Sequence, residues 1–329
     1  MDVVIEESRV AGRAAYVTVG GLLLASMLVA QVASGLQPAP VRLTSVVVLL
    51  LSACAIAFAA ADHGAARAAG AFGAAAGAGY VAEWVGVRTG VPFGEYAYTG
   101  VLWPAPGGVP VIVALAWGGM GLAAYAVASR VARSFWGVAV TGAFALTAWD
   151  LFLDPQMLRL GLWDWVADGP YRGVPVSNFV GWLVVSFLVM ALIGRVLRRD
   201  AAGNGTGLVL LYTVMAVMET IGFAAVFDPP DLVVAVSGGV AMGLFTVLAW
   251  TRSTRSGVTR RADDDSLAPE ESSGSDGGSS RSADTVSPDT LGFSPDGAPI
   301  PADGPFPDPP PPLPDEPRPF PDGRHLWRK

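Results

Sequence analysis

Eight runs of mostly apolar residues fill the first 250 residues of this 329-residue chain. Each run has roughly 20 residues, the length that crosses a bilayer as an α-helix, and none alternates like a half-buried strand. With 52% hydrophobic residues, the chain is too apolar for an ordinary soluble domain. The sequence therefore predicts an all-α fold, a polytopic integral membrane helix bundle. The predicted spans are 14–35, 41–61, 66–87, 109–129, 135–153, 175–197, 207–227 and 232–250.

Arginine placement predicts the orientation of the bundle, because basic residues are enriched in cytoplasmic loops. The two ends of the bundle and every second connection together hold twelve arginines. The intervening loops hold only Arg42, Arg88, Arg159 and Arg172. An even number of spans puts the two termini on one side. We therefore predict a multi-pass protein of the cell membrane with both termini in the cytoplasm.

Three regions follow from this pattern: a cytoplasmic N-terminus at 1–13, a membrane domain at 14–250 and a tail at 251–329. The tail is acidic and rich in Ser, Gly and Pro, and it lacks the apolar residues that a folded core needs. We predict that it is disordered and cytoplasmic.

The rarity of cysteine and histidine limits the chemistry that the chain can support. Cys54 is the only cysteine, and His63 and His325 are the only histidines. An intrachain disulfide is therefore excluded, and a cysteine or histidine metal site lacks ligands. We predict a site that uses no metal and no cofactor.

Four acidic side chains are the candidate catalytic residues: Glu83, Asp150 and Glu219 inside predicted spans, and Asp154 at the end of one. A charge at mid-helix costs about 2.5–3.5 kcal/mol even on the mildest scale, so such residues usually face a protein interior and mark a site. By the predicted topology they share the outer half of the bilayer. We predict an intramembrane active site for a lipid-like substrate. Two alternatives stay open: Glu83 reaching water at the interface, and Glu219 making a structural hydrogen bond between helices.

Asp150 and Asp154 are four residues apart, so both project from one face if the helix continues to Pro155. Two carboxylates at this spacing can share a proton or a divalent cation. Alternatively, Asp154 ends the helix in water. Asn178 opens the sixth span, where it would either orient a carboxylate or water or simply cap the helix.

Aromatic residues are concentrated in and beside the two long outer loops, at 88–108 and 154–174. An aromatic belt at the membrane interface explains many of them. The functional alternative is stacking on a polyene, or holding a carbocation over ring faces. The candidate substrate-binding residues are Trp84, Glu95, Tyr96, Tyr98, Trp163, Trp165, Tyr171, Asn178 and Trp182.

Small residues recur at helical spacing in the third span. Gly73 and Gly77 are four residues apart with alanines between them. This pattern predicts a face for close helix packing rather than a catalytic site.

Three segments together resemble the membrane-bound carotenoid hydratase family that includes the bisanhydrobacterioruberin hydratases of haloarchaea. They are GEYAYT at 94–99, DLFLDP at 150–155 and YRGVPVSNFVGW at 171–182. The likeness covers about 14–250 and leaves the tail outside. The low-lysine, acidic composition agrees with a haloarchaeal source.

The resemblance implies a hydro-lyase that adds water to terminal carbon–carbon double bonds of a long carotenoid and gives tertiary alcohols. In haloarchaea this would be the last step to bacterioruberin. The implied partners are the carotenoid within the membrane, the lipid bilayer and other carotenoid-biosynthesis enzymes, with no nucleic acid. The candidate residues suit this chemistry, which needs a proton donor, a stabilised cation and a placed water but no redox cofactor.

Two other functions are compatible with buried carboxylates. A membrane prenyltransferase would use Asp150 and Asp154, with Asp228 and Asp231 as a second pair, to hold magnesium and an isoprenoid diphosphate. The outer loops, however, hold few basic residues to grip a diphosphate. A proton-coupled transporter would need broken helices in two matching halves, and the chain shows no such repeat.

Overall fold

Eight helices form the bundle in the computed structural model, which describes residues 2–37, 41–197 and 205–266, with side chains described for 10–37, 42–197 and 205–252. Seven of these helices are long and apolar enough to cross a membrane. The exception is the third, which is long enough but is rich in Ala and Gly and therefore less apolar. The prediction of a polytopic helical membrane protein is confirmed. The helices are α1 (Asp2–Gly35), α2 (Val41–His63), α3 (Ala65–Thr89), α4 (Val111–Val131), α5 (Phe135–Arg159), α6 (Val176–Leu197), α7 (Thr206–Ile221) and α8 (Leu232–Ser266).

Helix α4 lies at the centre of the bundle and contacts α2, α3, α5, α6, α7 and α8. Small residues allow the helices of the bundle to approach one another closely. A Cβ on Gly118 would approach the Phe72 ring to 2.6 Å, and one on Gly142 of α5 would approach the Met190 sulfur to 2.5 Å. By contrast, α1, α6 and α8 expose rows of Leu and Val, as expected for surfaces that face lipid tails.

Two helices depart from their predicted bounds in ways that affect the site. Helix α5 continues past residue 153 to Arg159, so Asp154 lies inside the helix and is only 2% exposed. The alternative that Asp154 ends the helix in water is therefore wrong. Helix α8 continues past Trp250 to Ser266, so the first part of the predicted tail is helical. The prediction of disorder for 267–329 falls outside the described residues.

The predicted packing face of α3 is wrong in its register. Gly73 and Gly77 are exposed, and a Cβ on either would meet nothing within 4 Å. The buried stripe is instead Ala71, Ala75 and Gly79, which leads at the same four-residue spacing to Glu83. The face that packs against the bundle is thus the face that carries the buried acid.

The two long aromatic loops meet in a short antiparallel sheet. Strand β1 (Tyr96–Tyr98) pairs with β2 (Trp163–Trp165), with Tyr96 opposite Trp165 and Tyr98 opposite Trp163. Because side chains alternate along a strand, these four aromatic residues share one face, while the intervening positions are exposed on the other. Both loops therefore lie at the same end of the bundle, as the alternating topology predicts.

Candidate functional site

A cavity lies between the sheet and helices α2 to α6. It contains about 670 Å³ of space not occupied by protein atoms, counted out to its open mouth. The lining is almost entirely apolar and aromatic, with the four aromatic residues of the sheet closing one side. Two acidic residues, Glu83 and Asp154, line it as well. The other lining residues include Thr44, Ser45, Phe93, Trp117, Trp149, Leu153, Met157 and Trp182.

Glu83 is held by three neutral hydrogen-bond donors. Its Oε2 atom accepts from the hydroxyl of Tyr96 and, at 2.9 Å, from that of Tyr98, while its Oε1 accepts from Trp117 Nε1 at 3.1 Å. The side chain is 5% exposed, so the alternative in which it reaches water at the interface is wrong. Burial, and then the negative charge of Glu83, raises the pKa of both Tyr96 and Tyr98. Both phenols therefore stay protonated and act as donors. These three donors stabilise the ionised form of Glu83, whereas its burial and the lack of a cation among its hydrogen-bond partners oppose ionisation.

Gly79 makes the contact between Trp117 and Glu83 possible. It lies one helical turn before Glu83, and a Cβ there would approach Trp117 Cγ to 2.3 Å. The indole can therefore lie directly against α3 and reach up to the carboxylate. Trp117 in turn stacks on Trp182 of α6, with ring centroids 4.1 Å apart.

Asp150 and Asp154 form a second acidic centre, joined by one amide. Asn178 Nδ2 donates to Asp150 Oδ2 at 2.8 Å and also to Asp154 Oδ2. Of the two roles that the sequence allows for Asn178, the structure shows the orienting one, because its side chain donates to both carboxyl groups. Asp150 is fully buried, and its Oδ1 has no partner among the described residues. Of the pair, only Asp154 lines the cavity.

The arrangement of the pair also tests the magnesium alternative. The Asn178 amide directs donor hydrogens at the oxygens that a shared cation would need, which does not suit a divalent ion. Asp231 of the second predicted pair forms an ion pair with Arg172 at 2.7 Å and accepts from the backbone of Val233 and Val234 at the start of α8. Within the described part of the chain, no three His, Cys, Asp or Glu residues converge as metal ligands.

The structure brings seven of the predicted site residues to the cavity wall: Glu83, Asp154, Tyr96, Tyr98, Trp163, Trp165 and Trp182. Asp150 and Asn178 lie directly behind Asp154. Trp117 and Trp149 were missed by sequence reasoning, because tryptophan inside an apolar run is easily read as facing lipid. The position of Trp117 in mid-span was the available signal, since lipid-facing tryptophan prefers the membrane interface.

Four predicted residues lie elsewhere. Trp84 is 41% exposed, because the residue after Glu83 points about 100° away around the helix. Glu95 precedes Tyr96 and is exposed on the opposite face of the strand. Tyr171 donates to the backbone carbonyl of Leu151 rather than lining the cavity. Glu219 is 8% exposed on α7 and, among the described side chains, hydrogen-bonds to none of the other acids.

Comparison with known proteins gives the chain a family. A family model described as carotenoid biosynthesis protein matches residues 44–247, more than half of the 329 residues. The chain belongs to this carotenoid biosynthesis family. The matched range begins at Thr44 and includes every residue that lines the cavity.

One curated relative is the bisanhydrobacterioruberin hydratase of Haloarcula japonica. It is 34% identical over 119 residues, a match that covers 34% of this chain and 40% of the relative. The chain therefore matches less than half the length of this relative. No solved structure matches the chain significantly.

Proposed function

We propose that this protein is a carotenoid hydratase, a hydro-lyase that adds water to a terminal carbon–carbon double bond of a long carotenoid. The observation that carries the proposal is a single apolar, aromatic cavity lined by two acids, Glu83 and Asp154, that belong to separate hydrogen-bonded centres. By analogy with the Haloarcula relative, the reaction would be of the type that converts bisanhydrobacterioruberin to bacterioruberin.

The first step is protonation of the alkene by the Asp150/Asp154 pair. Two carboxyl groups that share one amide in a dry site cannot both be ionised at low cost, so the pair keeps one proton. Asp154 is the member that can reach a substrate in the cavity. Its O–H bond breaks as the π electrons of the double bond form a new C–H bond, which leaves a tertiary carbocation.

Glu83 and the surrounding rings stabilise that cation. An ionised carboxylate preorganised by three donors provides negative charge without reorganisation. Ring faces over a cation add about 0.5–2 kcal/mol each. The aromatic residues of the sheet, together with Trp117, Trp149 and Trp182, provide such faces around the cavity.

The second step is attack by water. The water oxygen forms a C–O bond to the cation, and the proton that it releases returns to the aspartate pair, so the enzyme ends in its starting state. The indole N–H groups of Trp149, Trp163 and Trp165 are buried, lie on residues that line the cavity and have no partner among the described residues. They are suitable donors to the oxygen of the water or of the tertiary alcohol product.

The test is expression in a host that accumulates the unhydrated carotenoid, followed by mass analysis of the pigment. We expect a mass increase of one water molecule for each end that reacts, and we expect the activity to survive chelation of magnesium. An unchanged pigment at normal protein abundance would overturn the proposal. Loss of hydration on chelation would overturn the metal-free mechanism.

We also propose that both termini are cytoplasmic, which places the sheet and the cavity mouth on the outer side. The arginine distribution supports this orientation. Single cysteines at Gly100 and Asp168, in a Cys54→Ser background, should react with an impermeant thiol reagent added outside intact cells. Labelling that appears only after permeabilisation would show that the orientation is the opposite of the proposed one.

A further inference from the structure

A proline interrupts α5 at the position where the aspartate pair is built. Pro155 lies inside the helix, which nevertheless continues to Arg159. Proline has no backbone N–H, and its ring crowds the carbonyl four residues earlier. In α5 that carbonyl belongs to Leu151, the residue directly after Asp150. The helix therefore loses the hydrogen bond between residues 151 and 155, the positions that directly follow the two acids.

Tyr171 supplies a replacement for this hydrogen bond. Its hydroxyl lies 2.9 Å from the Leu151 carbonyl oxygen and 2.7 Å from Ser237 Oγ. Tyrosine has one hydroxyl hydrogen. The Leu151 carbonyl lacks its usual helical donor, whereas the Val233 and Val234 carbonyls, the other acceptors near Ser237 Oγ, keep the backbone N–H groups of residues 237 and 238. The favoured arrangement is donation from Tyr171 to Leu151 and from Ser237 to Tyr171.

The loop that carries Tyr171 is itself fixed. The backbone N–H of Val174 donates to the Tyr171 carbonyl at 2.9 Å, and Arg172 holds Asp231 at the start of α8. The Tyr171 ring packs edge-on against Phe179 of α6, with centroids 5.6 Å apart. Tyr171 thus ties α5 to both α6, which carries Asn178, and α8.

We propose that Tyr171 is a positioning residue whose hydroxyl replaces the donor that Pro155 cannot supply to Leu151, and so holds the turn of α5 that carries Asp150 and Asp154 beneath Asn178. Its effect on catalysis rests on the proposed hydratase function, whereas its effect on α5 does not. Tyr171 itself is not among the residues that line the cavity.

The test combines two substitutions that should cancel. Tyr171→Phe removes the hydroxyl but keeps the ring, and Pro155→Ala returns a backbone N–H to Leu151. In lipid nanodiscs, Tyr171→Phe should speed amide hydrogen exchange at residues 156–159 by about tenfold or more. It should also lower the turnover of hydration on the order of 10–100-fold with little change in the apparent KM. The double variant should restore both quantities to near the wild-type values. Ser237→Ala, which leaves the bond to Leu151 in place, should resemble the wild type in both assays.

The outcomes separate this inference from the proposed function. Unchanged exchange in Tyr171→Phe, or a double variant no better than Tyr171→Phe, overturns the inference even if hydration is observed. Faster exchange with undiminished hydration overturns the positioning role. If the wild type forms no alcohol at all, the hydratase proposal fails, and the exchange data alone then decide whether Tyr171 holds α5.

Discussion

The two acidic centres of the cavity differ in how their oxygens are satisfied. Glu83 receives three donors from a strand and from the central helix, so both of its oxygens are hydrogen-bonded. The aspartate pair shares a single amide, and one oxygen of Asp150 is buried without a partner in the described structure. Donors favour the charged form, and an adjacent like charge opposes it. In the proposed mechanism, side chains of one chemical type therefore take opposite tasks: Glu83 is ionised, and the aspartate pair keeps a proton.

The largest expected effect comes from removing the proton at the cavity wall. Asp154→Asn keeps the size of the side chain but cannot donate an acidic proton, so hydration should fall by about 10²–10⁴-fold. The measurement is the ratio of hydrated to unhydrated carotenoid at matched protein abundance. Asp164→Asn, on the exposed face of β2, and Glu219→Gln, which shares no hydrogen bond with the site, are the controls. Both should retain nearly full activity, and equal loss in all three variants would contradict the assignment.

Glu83→Gln tests the other acidic centre, the one built around Glu83. It removes the negative charge and turns an amide donor towards groups that are themselves donors. We expect a loss of about 10²–10³-fold in hydration, mainly through turnover, because the charge matters most when the cation forms. The same pigment assay measures it, with carotenoid content of the purified protein as the check on binding. Wild-type turnover in this variant would show that the ring faces stabilise the cation without the charge of Glu83.

Asp150→Asn tests which member of the aspartate pair donates the proton. Asp150 does not line the cavity, so its loss should weaken proton retention and positioning without removing the donor. We expect a drop on the order of 10–100-fold, smaller than that of Asp154→Asn under identical conditions. A larger effect at Asp150 than at Asp154 would move the donor role to Asp150.

Gly79→Ala should have the smallest effect of the series. The added methyl group displaces Trp117 and lengthens its hydrogen bond to Glu83, while the two tyrosines remain. Overpacking of this kind costs about 1–3 kcal/mol of stability. We expect about a tenfold lower hydration rate together with a lower melting temperature. The matched control is Gly77→Ala, where a Cβ meets nothing within 4 Å and neither quantity should change.

The helices and their order could be predicted because bilayer thickness imposes a length that apolar runs reveal directly. The packing register of α3 could not, because an Ala- and Gly-rich helix offers small residues at four-residue spacing on more than one face. Glu83 contained the missing information: counting back in steps of four gives Gly79, Ala75 and Ala71, the stripe that is buried. An acidic residue within a span is thus a better guide to the buried face of a helix than a repeat of small residues.

Only part of the site could be predicted from the sequence. The carboxylates, the tyrosines and the tryptophans of the sheet stood out by chemistry and by loop composition. The pairing of β1 with β2 and the separation of Glu219 depend on how distant segments pack, which no local pattern specifies. The predicted end of α5 was wrong because proline usually ends a helix, and here the carbonyl that Pro155 leaves without its helical donor accepts from a tyrosine sixteen residues away.

The protonation contrast between the two centres is measured most directly by infrared spectroscopy of the protein in membranes. Protonated and ionised carboxyl groups absorb at different frequencies, and substitution assigns the bands. We expect a band of a protonated carboxyl group that disappears in Asp154→Asn and persists in Glu83→Gln. The control Asp164→Asn should leave this band unchanged. A protonated band that is lost in Glu83→Gln and retained in Asp154→Asn would reverse the two roles and contradict the proposed mechanism.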